Sequence, residues 1–522
     1  MSYLERIQSS DISRRGFVKA SAAAVAALSV AGIAGCAPNS VEETEETTTT
    51  EARDIVSGEW KSAACWHNCG GRCVNKVLVR DGVAIRQKTD DSHEDSPEYF
   101  QQRSCVRGHS QRMQCFGADR LKYPMKRKGW SPDNPNGEMR GRDEWERISW
   151  DEAFKYVADE LKKAYDNYGP RSVLMHGSRA VNRVTNTNSF GTYCFDVPRL
   201  GLATAFDQTN SANDRFDMKN AEWIVFQGCN PAWASGGSPC YHFLQAKKAG
   251  VKFAMISPSY NATAQLFDAR WIHVRTGTDT AFMLAVAYEM LKLDESEGDI
   301  IDWDFLHTYC VGFDAESMPK GAKTDENFSD YVLGKYDDTP KTAEWASEIC
   351  GTPVEDIRWY AEILGKSHAT MMLHSYAFAR NHDAEDIPQL YMTLGCMGGH
   401  FGKSGHACGS TYHAWAGNGG PNLVVAGSNG LEAIANPVDD AIMAPIIWDS
   451  ILAGKYKYFG MPNAYVPAEE RDLDIHVAYY ESSARFQTTL NLLRGIEVLR
   501  SLDFVFCNAQ FLTTQAKYSD IE

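Results

Sequence analysis

Short apolar runs that end near glycine, serine or asparagine recur along most of the chain. They are SVLMHGS (172–178), WIVFQGCNP (223–231), FAMISPS (253–259), TMMLHSY (370–376) and DFVFCNAQ (503–510). Segments of helical character lie between them, for example SPCYHFLQAKKAG and DTAFMLAVAYEMLKL. Because strands that alternate with helices form parallel sheets covered on both faces, the pattern predicts an α/β fold with doubly wound parallel-sheet domains. Ligands of such sheets bind beyond the carboxyl ends of the strands, where these polar loops lie.

The length, the net charge and the missing nucleotide motifs indicate several domains and disfavour some classes of protein. About 465 residues follow the polar N-terminal part, which exceeds one ordinary core and predicts two or more domains. The formal net charge of −16 argues against nucleic-acid binding, which needs a basic surface. No GxGxxG or GxxxxGK[ST] run occurs in the sequence, so a nicotinamide site or a P-loop is disfavoured.

A cluster of cysteines lies near the start of the globular part. Cys65, Cys69 and Cys73 fall within CWHNCGGRC, and Cys105 follows in RSCVRGHSQR. Three thiols on one glycine-containing turn and one distant thiol favour a [4Fe–4S] cluster. Zinc, which more often uses Cys-x2-Cys pairs, and disulfides are the alternatives. Scattered cysteines inside apolar stretches are interpreted as small hydrophobic residues; examples are Cys310, Cys350 and Cys396.

The N-terminal residues 1–36 have the features of an export signal. Arg14 and Arg15 precede an alanine-rich stretch of about sixteen residues, which is shorter than the ~20 residues of a membrane span. The arginine pair predicts the twin-arginine route and an extracytoplasmic protein. IAGC resembles a lipoprotein box that ends at Cys36; cleavage without lipid and a disordered basic start are the alternatives. The Thr/Glu-rich residues 37–57 are predicted to be a solvated tether.

Several further motifs together resemble one known family. They are CVRG, DRLKYPMKR, ERISWDEA, GCNP, VRTGTDTA and LGCMGGHFGKSG. With the cysteine run they make the chain, from about Ser62 onward, similar to the molybdopterin oxidoreductases of the dimethyl sulfoxide reductase type. The resemblance implies a [4Fe–4S] cluster and bis(molybdopterin guanine dinucleotide) with molybdenum or tungsten. It also implies an anaerobic enzyme with a small-molecule electron acceptor, an iron–sulfur electron-transfer subunit and a membrane anchor.

The resemblance assigns roles to individual positions. Arg107 corresponds to a cation between cluster and pterin, where a fixed charge would favour electron entry. Gly228 and Asn230 correspond to cofactor contacts after a strand. Ser257, with Ser259, lies in a turn that departs from the family's acidic-Pro-Arg pattern, so its nucleotide contact is the weaker assignment. For Arg107 the alternative is an ordinary surface arginine. For Gly228 and Asn230 it is an ordinary strand-ending turn.

The segment TGTDT is assigned to the nucleotide. Gly277, Thr278 and Asp279 lie where the family reads guanine, and a carboxylate that accepts two N–H bonds suits a guanine edge. Capping of the following helix by Thr278 and Asp279 is the alternative and is compatible with this role.

The metal ligand of the family varies between serine, cysteine, selenocysteine and aspartate. In this sequence Cys194 occupies the corresponding position, with Asp196 as the second candidate and a buried structural cysteine as the alternative. A thiolate suits molybdenum or tungsten held by dithiolenes. Nearby Tyr193, His176 and Arg179 are candidates for proton donation or substrate orientation, or for packing alone.

The implied reaction is two-electron oxygen-atom transfer or deoxygenation, with electrons entering through the cluster. A cysteine ligand favours nitrate, polysulfide, hydratase or catechol-dehydroxylase relatives over sulfoxide reductases proper. A non-redox hydratase and an inactive remnant or half of a split enzyme are the alternatives.

We predict the following domain boundaries: an iron–sulfur domain at 58–118, an α/β domain at 119–172 and 366–450, an α/β pterin-binding domain at 173–365, and the start of a further portion at 451–522. The resemblance also suggests a C-terminally truncated chain, explained by a premature stop, an incomplete sequence or a split gene whose separate C-terminal half would be a partner; an active short form is the alternative. We accordingly expect DFVFCNAQ to have an uncovered apolar face, and the chain alone to be poorly soluble and nearly free of pterin.

Overall fold

A computed structural model of the chain describes residues 57–65, 73–101, 103–176, 185–188, 215–233, 239–374, 387–411, 438–443, 446–461, 464–481 and 485–522. Every helix and strand given below belongs to one compact unit, Glu59–Glu522.

The described helices are numbered in chain order. They are α1 Val106–Phe116, α2 Trp150–Tyr168, α3 Pro239–Lys248, α4 Ala262–Phe267, α5 Asp279–Glu297, α6 Trp303–Tyr309, α7 Phe328–Val332, α8 Ala343–Cys350, α9 Val354–Ile363, α10 Ile387–Met397, α11 Ile447–Ala453, α12 Arg485–Thr488, α13 Leu492–Ser501 and α14 Thr514–Lys517.

The first strands form a small antiparallel sheet. It consists of β1 Glu59–Cys65, β2 Cys73–Arg80 and β3 Val83–Thr89 in sequential order. The ladder between β1 and β2 runs from Glu59 opposite Val79 to Cys65 opposite Cys73. The two strands therefore bring the first and third cysteines of the predicted cluster face to face.

Five parallel strands form the sheet that we call sheet I, in the order β10-β9-β8-β11-β12. Its strands are β8 Trp223–Gln227, β9 Lys252–Ser257, β10 Arg270–His273, β11 Thr370–His374 and β12 Ala407–Thr411. Side chains alternate between the two faces of each strand. Val225 and Ala254 pack in a core with α5, α9 and α10, whereas Phe226 and Met255 pack in another with α3 and α4. The sheet is thus covered on both faces, as the continuous apolar runs predict.

A second parallel sheet, sheet II, has the order β13-β7-β6-β16-β17. Its strands are β6 Val173–His176, β7 Thr185–Asn188, β13 Ala441–Met443, β16 Val477–Tyr480 and β17 Phe504–Cys507. Leu174 and Val505 pack with α11 and α13, while Val173 and Phe504 pack with α2. The predicted α/β class with parallel sheets is therefore confirmed.

Two antiparallel pairs complete the described strands. One joins β4 Met125–Arg127 to β5 Trp145–Arg147, and the other joins β14 Lys455–Met461 to β15 Ala464–Asp472. Helix α2 begins after Ser149, whose hydroxyl accepts the N–H of Glu152 while the Glu152 carboxylate accepts the N–H of Ser149. This capping box explains why the helix predicted from WERISWDEA begins at Trp150.

The expectation that β17 has an uncovered apolar face is wrong. Phe504, Val505 and Cys507 are buried. The chain turns back after α14, so that Ile521 bridges to Phe506 on one side and to Lys126 on the other. These last residues and α13 cover the strand.

The predicted domain boundaries stay a prediction. Strands β11 and β12, which lie in the predicted 366–450 segment, are hydrogen-bonded into the same sheet as β8. Among the described residues, no helix combines the length and apolar character needed to cross a bilayer.

Candidate functional site

The order of sheet I creates a point where the chain changes direction. From β8 the chain adds β9 and β10 on one side, then returns to add β11 and β12 on the other. Gln227 and His374, the last residues of β8 and β11, are partners in the register at this point. Ligands of doubly wound sheets bind in the crevice beyond the strands at such a switch point.

The polar side chains of Gln227 and Asp279 contact each other at this edge, but the contact leaves Gln227 Oε1 without a hydrogen bond from the described residues. Gln227 is fully buried, and its Nε2 donates to Asp279 Oδ1 over 3.5 Å. Its buried Oε1 has no hydrogen-bond partner among the described residues. Burial raises the pKa of Asp279, the first residue of α5. Because an unpartnered buried polar atom is costly, the pair is suited to a ligand that supplies hydrogen bonds.

Two glycines at the edge have a backbone that other residues rarely adopt. Gly228 follows β8 with φ 60°, and Gly277 precedes α5 with φ 82°. A Cβ on Gly277 would have no neighbour within 4 Å, so its φ rather than lack of space favours glycine. Thr278 occupies the N-cap position of α5, but its side chain does not cap the helix, since its hydroxyl donates to the Arg275 carbonyl at 2.7 Å. For Thr278 the capping alternative is therefore wrong.

Asn230 is held by the start of helix α4. The Thr263 hydroxyl accepts the N–H of Ala232 at 3.0 Å and donates to Asn230 Oδ1 at 2.6 Å. Asn261 caps α4 by accepting the N–H groups of Thr263 and Ala264. This chain of bonds fixes the Asn230 amide and leaves its Nδ2 group as the donor for a ligand.

Ser257 ends β9 at the same edge. Its hydroxyl donates to the Ser259 carbonyl at 2.7 Å, which uses the hydroxyl hydrogen within the turn. Ser257 can therefore accept a hydrogen bond from a ligand hydroxyl but cannot at the same time donate one to a phosphate.

The structure adds three residues to those predicted at this edge: Gln227, Asn261 and Thr263. Asn261 has a recognisable signal, because asparagine immediately before ATAQLF is a typical N-cap. Gln227 is the one polar residue of the run WIVFQ, a weaker signal. Thr263 has no signal in the sequence, because its contact with Asn230 spans 33 positions.

The predicted cluster cysteines partly converge. Cys65 and Cys73 are buried and opposite each other, and Cys105 occupies the N-cap position of α1. The Cys65 Cβ lies 3.6 Å from where a Cβ on Gly108, in the first turn of α1, would be. Cys69 lies outside the described residues. Within the described part of the chain, no group of three or more His, Cys, Asp or Glu side chains is placed to hold a metal ion.

Arg107 is exposed in the first turn of α1, two residues after Cys105. The remaining predicted positions at the metal and in the signal lie outside the described residues; they are Arg14, Arg15, Cys36, Arg179, Tyr193, Cys194 and Asp196.

Sheet II has a switch point of its own. From β6 the chain adds β7 and β13 on one side, and β16 and β17 lie on the other. His176 and Tyr480, the last residues of β6 and β16, are partners in the register there. The molecule thus has two switch points of the same topological kind.

Comparison with known proteins agrees with this architecture. The sequence profile of the molybdopterin oxidoreductase family matches residues 120–521. Dimethyl sulfoxide reductase DmsA of Haemophilus influenzae is 29% identical over 543 residues, covering 98% of this chain. Its counterpart from Escherichia coli is 27% identical and covers 99%. The chain spans 64% of the length of each of these two relatives.

Among solved structures, acetylene hydratase from Pelobacter acetylenicus superposes with a TM-score of 0.60 at 17% identity, over 88% of this chain and 62% of that one. This likeness concerns the fold alone. The unpartnered Gln227 Oε1, the half-buried Asp279 and the two positive-φ glycines fit a large polar cofactor at the edge of sheet I. The predicted family is confirmed: the chain belongs to the molybdopterin oxidoreductase family, and a molybdopterin cofactor follows from that membership.

Proposed function

We propose that this chain binds molybdenum or tungsten as bis(molybdopterin guanine dinucleotide) and catalyses the two-electron reduction of an S-oxide or N-oxide. The observation that carries the proposal is the Gln227–Asp279 pair at the switch point of sheet I, in a chain of this family. Relatives named for dimethyl sulfoxide and trimethylamine N-oxide support this class of substrate. They outweigh the preference for other substrates that a Cys194 ligand suggests.

Asp279 is proposed to read the guanine base. Its carboxylate can accept from the N1–H and the 2-amino group of guanine, and the charged acceptor strengthens both bonds. Gln227 Oε1 can accept a further ligand donor, which would satisfy an atom otherwise buried without a partner. Adenine presents no such pair of adjacent donors, so the same pair should discriminate against it.

The rest of the edge would hold the remainder of the dinucleotide. Asn230 can donate through Nδ2, and Ser257 can accept from a sugar hydroxyl. Gly228 and Gly277 provide backbone bends without side chains. The crevice beyond His176 and Tyr480 in sheet II is the proposed site of a second dinucleotide.

Cys194 is the proposed protein ligand of the metal, with Asp196 as the alternative. When bound, the metal cofactor supplies two-electron oxygen-atom transfer, and the chain positions the substrate and supplies charge. The net reaction converts an oxide, two protons and two electrons into the reduced compound and water.

Electrons are proposed to enter through a [4Fe–4S] cluster on Cys65, Cys69, Cys73 and Cys105. The facing of Cys65 and Cys73, next to the start of α1, supports this ligand set. The Arg107 charge would then lie beside the cluster, where it favours electron entry. An iron–sulfur subunit and a membrane anchor are the proposed partners.

Export by the twin-arginine route, through Arg14 and Arg15, is proposed to place the protein on the extracytoplasmic face, with Cys36 as a lipid attachment site. Replacement of both arginines by lysine should retain the protein in the cytoplasm, and fractionation measures this directly. Equal export of the double variant would contradict the assignment.

The function is tested with the full chain purified without oxygen. Because β17 is covered, the reason to expect a chain nearly free of pterin no longer holds, and we expect molybdenum or tungsten, about four irons per chain, and oxidation of a reduced viologen dye by dimethyl sulfoxide or trimethylamine N-oxide. Cys69→Ala should lose the iron, whereas Cys115→Ala, which changes an exposed thiol, should retain it. Metal-loaded protein without turnover of either oxide would contradict the proposed substrate class, and zinc in place of iron would contradict the cluster.

A further inference from the structure

Two cysteines that are distant in the sequence meet beside sheet I. Cys310 immediately follows α6, and Cys396 lies in the last turn of α10. Both side chains line the same cavity and pack against the core that covers one face of sheet I, where the Cys396 thiol acts on the Cys310 thiol. The interpretation of these two cysteines as separate small hydrophobic residues is therefore incomplete.

The pair lines a cavity of about 450 Å³ that is open to solvent. Apolar side chains form much of the wall, among them Leu284 and Phe313, while Thr280, Gln389 and Thr393 add polar groups. Val311, next to Cys310, is 72% exposed and lies at the same cavity. A small molecule or an extended peptide segment can therefore reach the wall of the cavity that contains Cys310.

The two thiols differ in character. The contact with Cys396 lowers the pKa of the Cys310 thiol, because a donated S–H bond stabilises the thiolate. The same contact, together with burial, raises the pKa of Cys396. An accessible, acidified thiol next to a buried one is the arrangement of an attacking and a resolving cysteine.

We propose that Cys310 and Cys396 form a redox-active pair that closes to a disulfide by exchange with an external disulfide. The Cys310 thiolate attacks one sulfur of the external disulfide, forming a mixed disulfide and releasing one thiolate. Cys396, after losing its proton, attacks the Cys310 sulfur and releases the second thiolate. The protein loses two protons and two electrons, and the external disulfide is reduced to two thiols.

The disulfide would tie the segment after α6 to α10 across the cavity. Helix α5, whose first turn contributes Thr280 to the wall, begins at Asp279. Oxidation therefore clamps the helical layer that supports the edge of sheet I. Because the bond closes a long loop, it should raise the thermal midpoint by roughly 5–10 °C relative to the reduced protein.

The test uses the full chain, reduced without oxygen and then incubated with oxidised glutathione. After alkylation of remaining thiols and proteolysis without reductant, mass spectrometry should detect a peptide that links Cys310 to Cys396. Cys350 is the matched control, because it is buried in the same core and its thiol donates to Thr352 Oγ1 at 3.1 Å. Cys350→Ser should leave the linked peptide unchanged, whereas Cys310→Ser and Cys396→Ser should each abolish it and the thermal shift.

The order of attack is tested in the single variants. Cys396→Ser should trap glutathione on Cys310 about tenfold faster than Cys310→Ser traps it on Cys396, since the acidified and accessible thiol reacts first. The proposal is overturned if no Cys310–Cys396 peptide forms while the exposed Cys115 is modified, or if Cys310 links to a different cysteine. Faster trapping on Cys396 would overturn the assignment of the attacking residue.

Discussion

Two carboxylates in this chain have opposite surroundings. Asp520, beside β17 of sheet II, is fully buried and accepts bonds from Arg127, Arg140 and the N–H of Val505, at 2.6–3.0 Å. Among the described residues, Asp279, at the edge of sheet I, has one side-chain hydrogen-bond partner, Gln227, at 3.5 Å. The described part of the protein thus supplies the hydrogen bonds of Asp520 but few of those of Asp279.

The difference separates a structural group from a binding group. Two guanidinium groups and a backbone N–H offset the desolvation of Asp520, so a ligand has nothing to add. Burial raises the pKa of Asp279, and no cation of the described residues is among the groups that act on its charge. Such a group gains from a ligand that donates hydrogen bonds, which is the role that we propose for it.

The largest effect is expected at Asp520. Asp520→Ala leaves the buried Arg127 and Arg140 without their shared partner, which should lower the free energy of unfolding by about 3–5 kcal/mol. The thermal midpoint, followed by circular dichroism, measures the loss. Asp474→Ala, at a carboxylate that is 83% exposed, should leave the midpoint nearly unchanged. A small change in the thermal midpoint of Asp520→Ala would contradict the structural role that we assign to Asp520.

Asp279→Asn should weaken ligand binding without lowering stability, whereas Asp520→Ala should lower stability. The amide removes one acceptor and the charge, so the affinity for guanosine diphosphate should fall about 10–100-fold, while the thermal midpoint of the ligand-free chain stays equal or rises. Calorimetric titration of the cofactor-free chain gives the affinity. Asp304→Asn, at an exposed carboxylate in the first turn of α6, is the matched control. Lower stability without lower affinity would make Asp279 structural.

The pH dependence of guanine-nucleotide binding gives a second test of whether Asp279 is a binding group. Guanine binds the ionised carboxylate, so affinity should fall as the pH drops through the raised pKa of Asp279, by up to about tenfold per pH unit. The effect on the stability of the ligand-free chain has the opposite sign, since a raised carboxyl pKa stabilises the fold at low pH and loses this effect as the pH rises. Titrations from acidic to neutral pH, through the raised pKa of Asp279, should show the dependence in the native chain. Its persistence in Asp279→Asn would assign it to another group.

The smallest effect is expected at Gln227. Gln227→Leu removes the unpartnered Oε1 and should leave stability equal or slightly higher, because an unsatisfied buried polar atom is replaced by an apolar one of similar size. Affinity for guanosine diphosphate should fall only about threefold. A large loss of stability would mean that Oε1 is satisfied in the protein, contrary to its described surroundings.

Local sequence signals predicted much of this fold. The apolar runs became β6, β8, β9, β11 and β17, and the segments between them became α3 and α5. The hairpin of β14 and β15 was not predicted, although KYKY alternates exposed lysines with the buried Tyr456 and Tyr458, a period typical of a strand.

The features that the sequence did not predict depend on residues that meet only in the fold. Arg127 and Asp520 are separated by 393 positions, and Gln227 and Asp279 by 52. Cys310 and Cys396 likewise lie on separate helical segments, so neither carries a local sign of the other. By contrast, Asp279 was predicted, because its motif resembles a family pattern.

The central claim, that Asp279 reads the guanine of a bound dinucleotide, is tested most directly by the nucleotide in the purified protein. Cofactor-loaded native chain and Asp279→Asn are denatured in acid, and the nucleotides released per chain are separated and quantified. We expect guanosine monophosphate as the main nucleotide of the native chain, and a loss of about half or more of it in the variant, since one of two proposed dinucleotides depends on this carboxylate. Equal guanosine monophosphate in both proteins, or a native cofactor without guanosine, would contradict the claim.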